Sequence, residues 1–472
     1  MGYAFARPHA LAYSFVGIQT LYLATNFPPI FWNCACLIVS AGGTDLLNMD
    51  FDDEETDEKK KNKNVDYGKI SKAIGESKEK GIKIAPPNIN HSDLIFKPDL
   101  YNNQILYGLK GISRIGTDLV YEIFKHRPYT SISDFCKKVK VNKLQATYLI
   151  KSGAFDDLYG GDREKVMKEY LSSVADQKKR ITLQNMNMLI EKDLLPENLD
   201  LEKRIFNFNK YLKKFKKDKY YILDDVSYNF FTKNFNEDYL EDIHVEDNNS
   251  SAKILQTKWD NIYKTAMNPV RDWMKANQTE ILNTLNTTLY QETYNKYASG
   301  SLSEWEMESL SFYYHDHELA NLNTRKYGIV DFKYLSEEPV VDRQFTTKDG
   351  NEITLFEISR IAGTVIDKDK NKSEIILLTT SGVVTVKVWK NQYAKWDKQI
   401  SERGEDGKKH VVEKSFFSKG TKLIITGIRR GDNFIPKKYK STEYPLFEKI
   451  ISLSEDGSTI VDFATERAEV EE

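Results

Sequence analysis

The 472-residue chain is 40% hydrophobic and 29% charged, enough apolar sequence for several cores and, by length, about three domains. Its 68 Lys and Arg against 70 Asp and Glu leave a formal charge of -2, which excludes nucleic-acid binding through bulk charge and requires any such surface to be local. Cys34, Cys36 and Cys136 form neither an even disulfide framework nor a zinc cage. No run reaches the ~20 apolar residues of a membrane helix. Pro8, Gln19, Asn26 and Pro28-Pro29 interrupt the opening, so it does not read as a secretory signal. The expectation is a cytosolic chain with free thiols and no membrane contact.

In chain order, the first predicted element is a helix beginning near Pro8, where proline sacrifices no hydrogen bond. Ala12, Phe15, Val16, Gln19, Tyr22 and Leu23 recur at helical spacing and predict one buried stripe. Arg7 and His9 stand at its start, where open N–H groups and the helix dipole favour an anion, with a triphosphate the natural candidate. An ordinary capped core helix is the alternative. Asp52, Asp53, Glu54 and Glu55 could be read as a metal cluster, but consecutive acids point in different directions and a solvated loop is preferred.

A helix is expected from Tyr67 to Lys80, ended by Gly81. A strand then leaves into the loop Pro86-Pro87-Asn88, where Asn88 can bond its own turn. Tyr107 to Gly116 reads as a glycine-bearing turn before a helix from Thr117 to His126. Outward N–H groups of this kind hold a phosphate without reading bases, making Lys110, Ser113, Arg114 and Gly116 candidate DNA contacts. A second hairpin-like unit runs from Phe135 to Asp156, with Lys137, Lys138, Lys140, Lys143 and Lys151 making it locally basic. Surface solvation explains lysines equally well.

A helix is predicted from Arg163 to Leu189. Residues 195–300 read as helical, aromatic and lysine-rich in patches such as Phe206 to Lys217 and Trp259 to Trp273. His315, Asp316 and His317 invite a metal reading. From Ile358 the pattern changes to short β-branched runs at 361–366, 375–380, 383–389 and 422–427, predicting a five-stranded barrel of the OB type. Its strand-binding face would include Lys387, Trp389, Tyr393, Lys395 and Trp396, with Arg429, Arg430 and Lys437 nearby, aromatics stacking bases and cations holding phosphates. Asp367 and Asp369 mimic a catalytic pair but sit in a turn-like context. The end, Glu466 to Glu472, reads as an acidic, disordered tail.

The opening Gly2-Tyr3-Ala4-Phe5-Ala6-Arg7-Pro8-His9-Ala10, with Tyr13, Gln19-Thr20 and Pro28-Pro29-Ile30-Phe31, resembles the fingers of the bacterial replicative DNA polymerase III alpha subunit, a C-family DNA polymerase. The family pattern is Gly-Tyr-Gly-Phe-Asn-Lys-Ser-His-Ala; Arg7 keeps the charge of its lysine and Pro8 loses a hydroxyl. Ile82 to Ser92, Leu149-Ile150-Lys151-Ser152-Gly153-Ala154-Phe155-Asp156 and Trp305 to His317 resemble later family strings in the same order. The match is close over 2–155 and loose over 305–440. Where the family has Ile-Lys-Gly-Val-Gly in its helix-hairpin-helix, this chain has Ser113 and Arg114 for the Lys-Gly pair.

The resemblance implies an α+β multidomain chain, with mainly α-helical fingers and a helix-hairpin-helix region followed by a C-terminal OB-fold barrel. The implied boundaries are fingers 1–100, hairpin region 101–194, a lineage-specific insertion 195–300, a junction 301–345, the barrel 346–450 and a tail 451–472. It implies that Arg7, His9 and Tyr13 face the incoming dNTP, and that Gln184, Met188 and Leu189 stand where the family carries a sliding-clamp peptide, here without its aromatic anchor. The family's palm aspartates, which hold Mg2+, lie before the matching segment. The expectation is therefore no catalytic residue here, a palm-containing N-terminal polypeptide as partner, primer–template DNA as substrate, and a split, phage-type gene. A non-catalytic DNA-binding replication accessory protein is the competing class.

Overall fold

The computed structural model describes residues 7–40, 67–246, 249–346, 350–403 and 409–464. Residues Gly2 to Ala6, the acids Asp52, Asp53, Glu54 and Glu55, and the tail Glu466 to Glu472 lie outside the described residues. The chain divides into two units, one running up to Tyr170 and resuming at Ala298, the other Leu171–Tyr297. Among the described residues no helix is long and apolar enough to cross a membrane.

The first unit opens with α1 (Arg7–Asn26), its start as expected from Pro8, but with no buried residue. The expected stripe is a correction: Phe15, Val16, Tyr22 and Leu23 are 59%, 58%, 61% and 50% exposed. Leu11, Ile18 and Leu21 are exposed as well, so the helix is apolar on all sides and has no single face to turn to a core. Helix α2 (Pro29–Ser40) does have one, burying Ile30, Cys34 and Leu37, and it packs against α3 (Tyr67–Glu79). Burial pushes the Cys34 thiol up to about 12 and that of Cys136 up to about 11, which leaves both inert at neutral pH.

Strands β1 (Lys83–Ala85), β2 (Lys97–Asp99) and β3 (Gln104–Leu106) form a small sheet in the order β1-β3-β2. In the loop after β1, the N–H groups of Asn90 and His91 donate to Asn88 Oδ1 at 2.8 and 3.0 Å, the self-closed turn expected of that asparagine. Helices α4 (Thr117–Lys125), α5 (Ile132–Lys138), α6 (Lys143–Lys151), α7 (Asp156–Tyr159) and α8 (Arg163–Val174) follow. The helix expected from Arg163 to Leu189 therefore stops at Val174.

The second unit contains α9 (Met186–Glu191), α10 (Asp200–Leu212), α11 (Asp225–Asn234), α12 (Gln256–Ala266), α13 (Asn268–Ala276) and α14 (Gln278–Ala298). It is not wholly helical, which corrects the sequence reading. Strands β4 (Lys216–Lys217), β5 (Tyr220–Leu223), β6 (Glu241–Glu246) and β7 (Asn249–Leu255) pair in the order β4-β5-β7-β6. Trp259 is fully buried among Phe208, Leu212, Tyr221 and Phe231, and its indole N–H donates to Asn209 Oδ1 at 3.0 Å. Phe208, Tyr221, Phe231 and Trp259 therefore build a core.

Back in the first unit, α15 (Leu302–Leu310) starts at Ser301, which forms a capping box with Glu304. A hairpin, β8 (Val341–Thr346) and β9 (Glu352–Phe356), precedes the barrel. Strand β10 (Ser359–Asp369) pairs over its first half with β15 (Lys422–Arg430) and over its second with β11 (Glu374–Thr379). Strand β11 pairs with β12 (Gly382–Lys387), β12 runs parallel to β16 (Asn433–Pro436), and β16 returns to β15. Five strands thus close in OB order, with α16 (Lys390–Asp397) between the third and fourth. A side-branch hairpin, β13 (Ile400–Arg403) and β14 (Lys409–Glu413), follows α16, while β17 (Phe447–Leu453) and β18 (Ile460–Ala464) extend the sheet from β15. Val365, Ile375, Leu377, Val386, Phe434 and Phe447 fill the barrel. Gly363 is required there, since a Cβ would lie 2.5 Å from the Leu378 carbonyl oxygen.

Candidate nucleic-acid interface

The first hairpin is built by a 3-10 turn, Leu109–Gly111, and by α4. Ile112 and Ile115 are buried, leaving Arg114 and Gly116 exposed beside them. Gly116 caps α4 and, having no side chain, gives the first N–H groups of that helix no capping acceptor. That is the geometry that accepts a phosphate. Helix α6 contrasts with it: Asn142 Oδ1 accepts from the Gln145 N–H at 2.8 Å and Gln145 Oε1 accepts from the Asn142 N–H at 3.2 Å. Its start is closed by its own side chains, which leaves the first hairpin as the better anion site.

Arg114 has φ 69°. It therefore adopts the left-handed conformation for which glycine is normally used, at a cost of roughly 1–2 kcal/mol. Ser113 anchors the turn by donating its N–H to the Ser309 carbonyl at 2.8 Å. Lys110 is half-buried, and desolvation lowers its pKa while Asp118 raises it. Lys137 and Lys140 are exposed, Lys143 is half-buried, and Lys138 is tied to Asp134 at 2.9 Å.

The string ending the second hairpin proves to be a lock. Gly153, with φ 84°, lets the chain turn after α6, and a Cβ there would lie 2.5 Å from Arg163 Nη2. Arg163 Nη2 donates to Asp156 Oδ2 at 2.8 Å, and Nη1 donates to Glu306 Oε1 at 2.8 Å. Tyr148 and Lys151 both bond Glu308 on α15. Lys151 is thus a buried structural cation rather than a contact for a duplex.

A cleft of about 600 Å³ lies between Arg114 of the hairpin, Glu308 of α15, and Asp367 and Lys419 of the barrel. Burial pushes the Lys419 ammonium down to about 8, while Asp367 and Glu308 oppose that shift. Lys368 is bonded to Asp397, and Lys422 to Glu304 and Glu318. Both signs of charge line the cleft, so it makes no anion site by itself. Lys419 escaped the sequence reading; its signal was a lone lysine following the apolar pair Phe416-Phe417.

On the barrel, Lys387 is exposed 3.7 Å from Glu374, Trp389 is 69% exposed and Arg430 is exposed. Tyr393 is a correction: at 2% exposure it belongs to the barrel core, and its ring is closed to a base. Trp396 packs on Phe416 and Phe447, while Lys395 is exposed. Arg429 donates to the carbonyls of Gly431, Phe332 and Leu335 at 2.9, 3.2 and 2.8 Å and lies over the Phe332 ring, so it fastens the barrel to the junction. Lys437 lies over the Phe356 and Tyr439 rings. The outer face of β11 and β12 is itself covered, because Ile376, Leu378 and Val383 pack against Met307 and Tyr313. The available contacts are thereby shifted to the barrel's rim.

Arg7, His9 and Tyr13 share the exposed first turns of α1. Gln184 is exposed, Met188 is half-buried and Leu189 is fully buried in the core of the second unit with Met186. This corrects the clamp-peptide expectation, since an anchor already packed in a core cannot enter a partner's pocket. The remaining acids and histidines are dispersed: His315 bonds Glu306, His317 bonds the Leu378 carbonyl, and Asp369 accepts from the N–H groups of Asn371 and Lys372 in a turn. Among the described residues no three His, Cys, Asp or Glu side chains gather as a metal ion requires, so no step of magnesium chemistry is assigned to them.

Residues 81–166 match the helix-hairpin-helix motif family. The first unit therefore carries a helix-hairpin-helix motif ahead of its closed five-stranded barrel. A probable DNA polymerase, YorL, of Bacillus subtilis (strain 168) is 41% identical over 481 residues, covering 99% of this chain and 36% of the relative. A DNA-directed DNA polymerase of Bacillus phage SPbeta gives the same figures. The DNA polymerase III subunit alpha of Bacillus subtilis (strain 168) is 32% identical over 171 residues, 35% of this chain and 13% of the relative. The chain is thus similar almost throughout to a part of these DNA polymerases, and over 35% of its length to a part of a DNA polymerase III alpha subunit. It spans about a third, 36%, of the length of the relatives it matches almost throughout.

Proposed function

We propose that the chain forms the fingers and DNA-tracking part of a polymerase III alpha-like replicase and acts in template-directed DNA synthesis. The supporting observation is the similarity to DNA polymerases along 99% of the chain. Arg7, His9 and Tyr13 at the start of α1 grip the phosphates of the incoming dNTP, as cations and donors at a helix start can. Gly116 and the neighbouring Arg114 hold a phosphate of the primer–template duplex without reading its sequence. Trp389, Lys387 and Arg430 hold the template strand on the barrel rim.

The acids that bind Mg2+ belong to a palm outside residues 1–472, on a polypeptide either continuous with this chain or encoded separately, as a split phage gene would have it. That palm covers the apolar α1. The setting is the bacterial cytoplasm.

Primer extension tests this, using the chain with and without the palm-bearing polypeptide. Extension that requires both, and is lost on Arg7→Ala or His9→Ala with DNA affinity kept, supports the polymerase part. DNA binding that never acquires extension with any palm-bearing partner would assign the chain to a non-catalytic accessory role.

A further inference from the structure

Residues 210–219 run Lys-Tyr-Leu-Lys-Lys-Phe-Lys-Lys-Asp-Lys, six lysines against one acid, in a chain of net charge -2. After α10 the 3-10 turn Lys213–Phe215 leads into β4, and the Asp218-Lys219 turn, with Asp218 at φ 51°, folds the run back along β5. Strand β4 is the outer strand of its sheet. Lys213, Lys214, Lys216, Lys217 and Lys219 are all exposed, and among the described residues none of them forms an ion pair with a carboxylate. Phe215 is 40% exposed in their midst, its ring leaning on Tyr211 at 4.9 Å. The ammonium groups of Lys219 and Lys253 lie over the Tyr220 ring at 5.8 and 4.9 Å.

Lysines on an outer strand commonly guard it against pairing with another chain. A two-residue strand needs little guarding, and an exposed phenylalanine among the lysines would work against it. Unpaired cations interleaved with an accessible ring are instead what a polynucleotide strand uses: phosphates on the ammonium groups, a base on the ring. We propose that this edge of the second unit is a binding site for single-stranded nucleic acid, separate from the hairpin and the barrel. The site rests on the geometry of residues 210–220 and does not require the chain to take part in catalysis.

The test uses the full chain and a fluorescent 20-nucleotide oligothymidylate, with affinity measured by anisotropy across a salt series. Combined Lys214→Ala, Lys216→Ala, Lys217→Ala and Lys219→Ala should weaken binding at least ~10-fold and flatten the log-affinity versus log-salt slope by about 2–3, at roughly 0.7 for each phosphate no longer neutralised. Phe215→Ala should weaken binding by roughly 10-fold, as the removal of one stacked base would, with the slope unchanged. In the unaltered chain, lysine acetylation read by mass spectrometry should show Lys213 to Lys219 shielded by the oligonucleotide. Unchanged slope and unchanged acetylation overturn the proposal, as does shielding by polyglutamate but not by the oligonucleotide, which would identify an acidic protein as the occupant.

Discussion

Arg163 and Glu306, far apart in the chain, form a buried ion pair, with Nη1 donating to Oε1 at 2.8 Å and side chains 3% and 0% exposed. Asp156 takes the other side of the guanidinium, and the second oxygen of Glu306 accepts the N–H groups of Tyr314 and His315 at 2.8 and 3.0 Å. The pair joins the hairpin module to the helix that leads into the barrel. Arg163→Met takes the arginine cation from a fully buried carboxylate and is expected to cost about 3–5 kcal/mol in urea unfolding. Lys168→Met, which removes an exposed pair with Glu164 on the same helix, is expected to cost under ~0.5 kcal/mol. Equal costs would refute the lock.

Arg114 and Ser311 hold φ 69° and 65°, Arg114 at a place where the polymerase III alpha pattern has glycine. Ser311→Gly should raise the unfolding free energy by roughly 0.5–1 kcal/mol, the relieved strain less the flexibility added to the unfolded chain. Arg114→Gly should stabilise similarly yet weaken duplex binding and flatten its salt slope by about 1, because one phosphate of the duplex then keeps its counterion. A stabilised Arg114→Gly with undiminished duplex affinity would remove Arg114 from the interface.

His317 is held neutral by burial, its pKa lowered to about 4 from 6.5. Nε2–H donates to the Leu378 carbonyl at 2.9 Å and Nδ1 accepts the Leu319 N–H at 3.0 Å, so these partners assign the tautomer. Between about pH 4 and 6.5 the unfolded chain binds the extra proton, so stability falls as pH drops through that window. The loss from this residue between pH 7 and pH 5 should be about 2 kcal/mol. His317→Gln should be less stable at pH 7 but flatter with pH, measured by urea unfolding at both values.

Trp389 and Tyr393 separate surface from core. Trp389→Ala, at a 69% exposed ring, should leave unfolding unchanged within ~0.5 kcal/mol and weaken single-strand binding by roughly 10-fold. Tyr393→Ala, at 2% exposure, should cost the barrel about 3–5 kcal/mol. The reverse pattern would return the strand-binding role to Tyr393.

Much of this fold was legible because local rules agree with the tertiary outcome. Pro8 marks the start of α1, Gly81 and Gly153 the exits from α3 and α6, Asn88 its own turn, and alternating apolar residues the strands β10, β11, β12 and β15. Each of these depends on neighbours a few residues away. The readings that failed concerned burial and partnership. Tyr393 and Trp396 look like a stacking platform until the barrel closes over them, and Arg429 looks like a phosphate ligand until three carbonyls surround it.

The sequence by itself determined the order of the elements, the hairpin with its uncapped helix start and the barrel's strand pattern, because backbone preferences and side-chain periodicity act over short spans. Only the tertiary structure decided which cations are held inside, as Arg163, Lys151 and Arg429 are, and which stay outside, as Arg114 and the lysines of 213–219 do. A charge becomes structural or available according to carboxylates and carbonyls brought to it from 94 to 157 residues away, and spacing along the chain holds no record of that meeting.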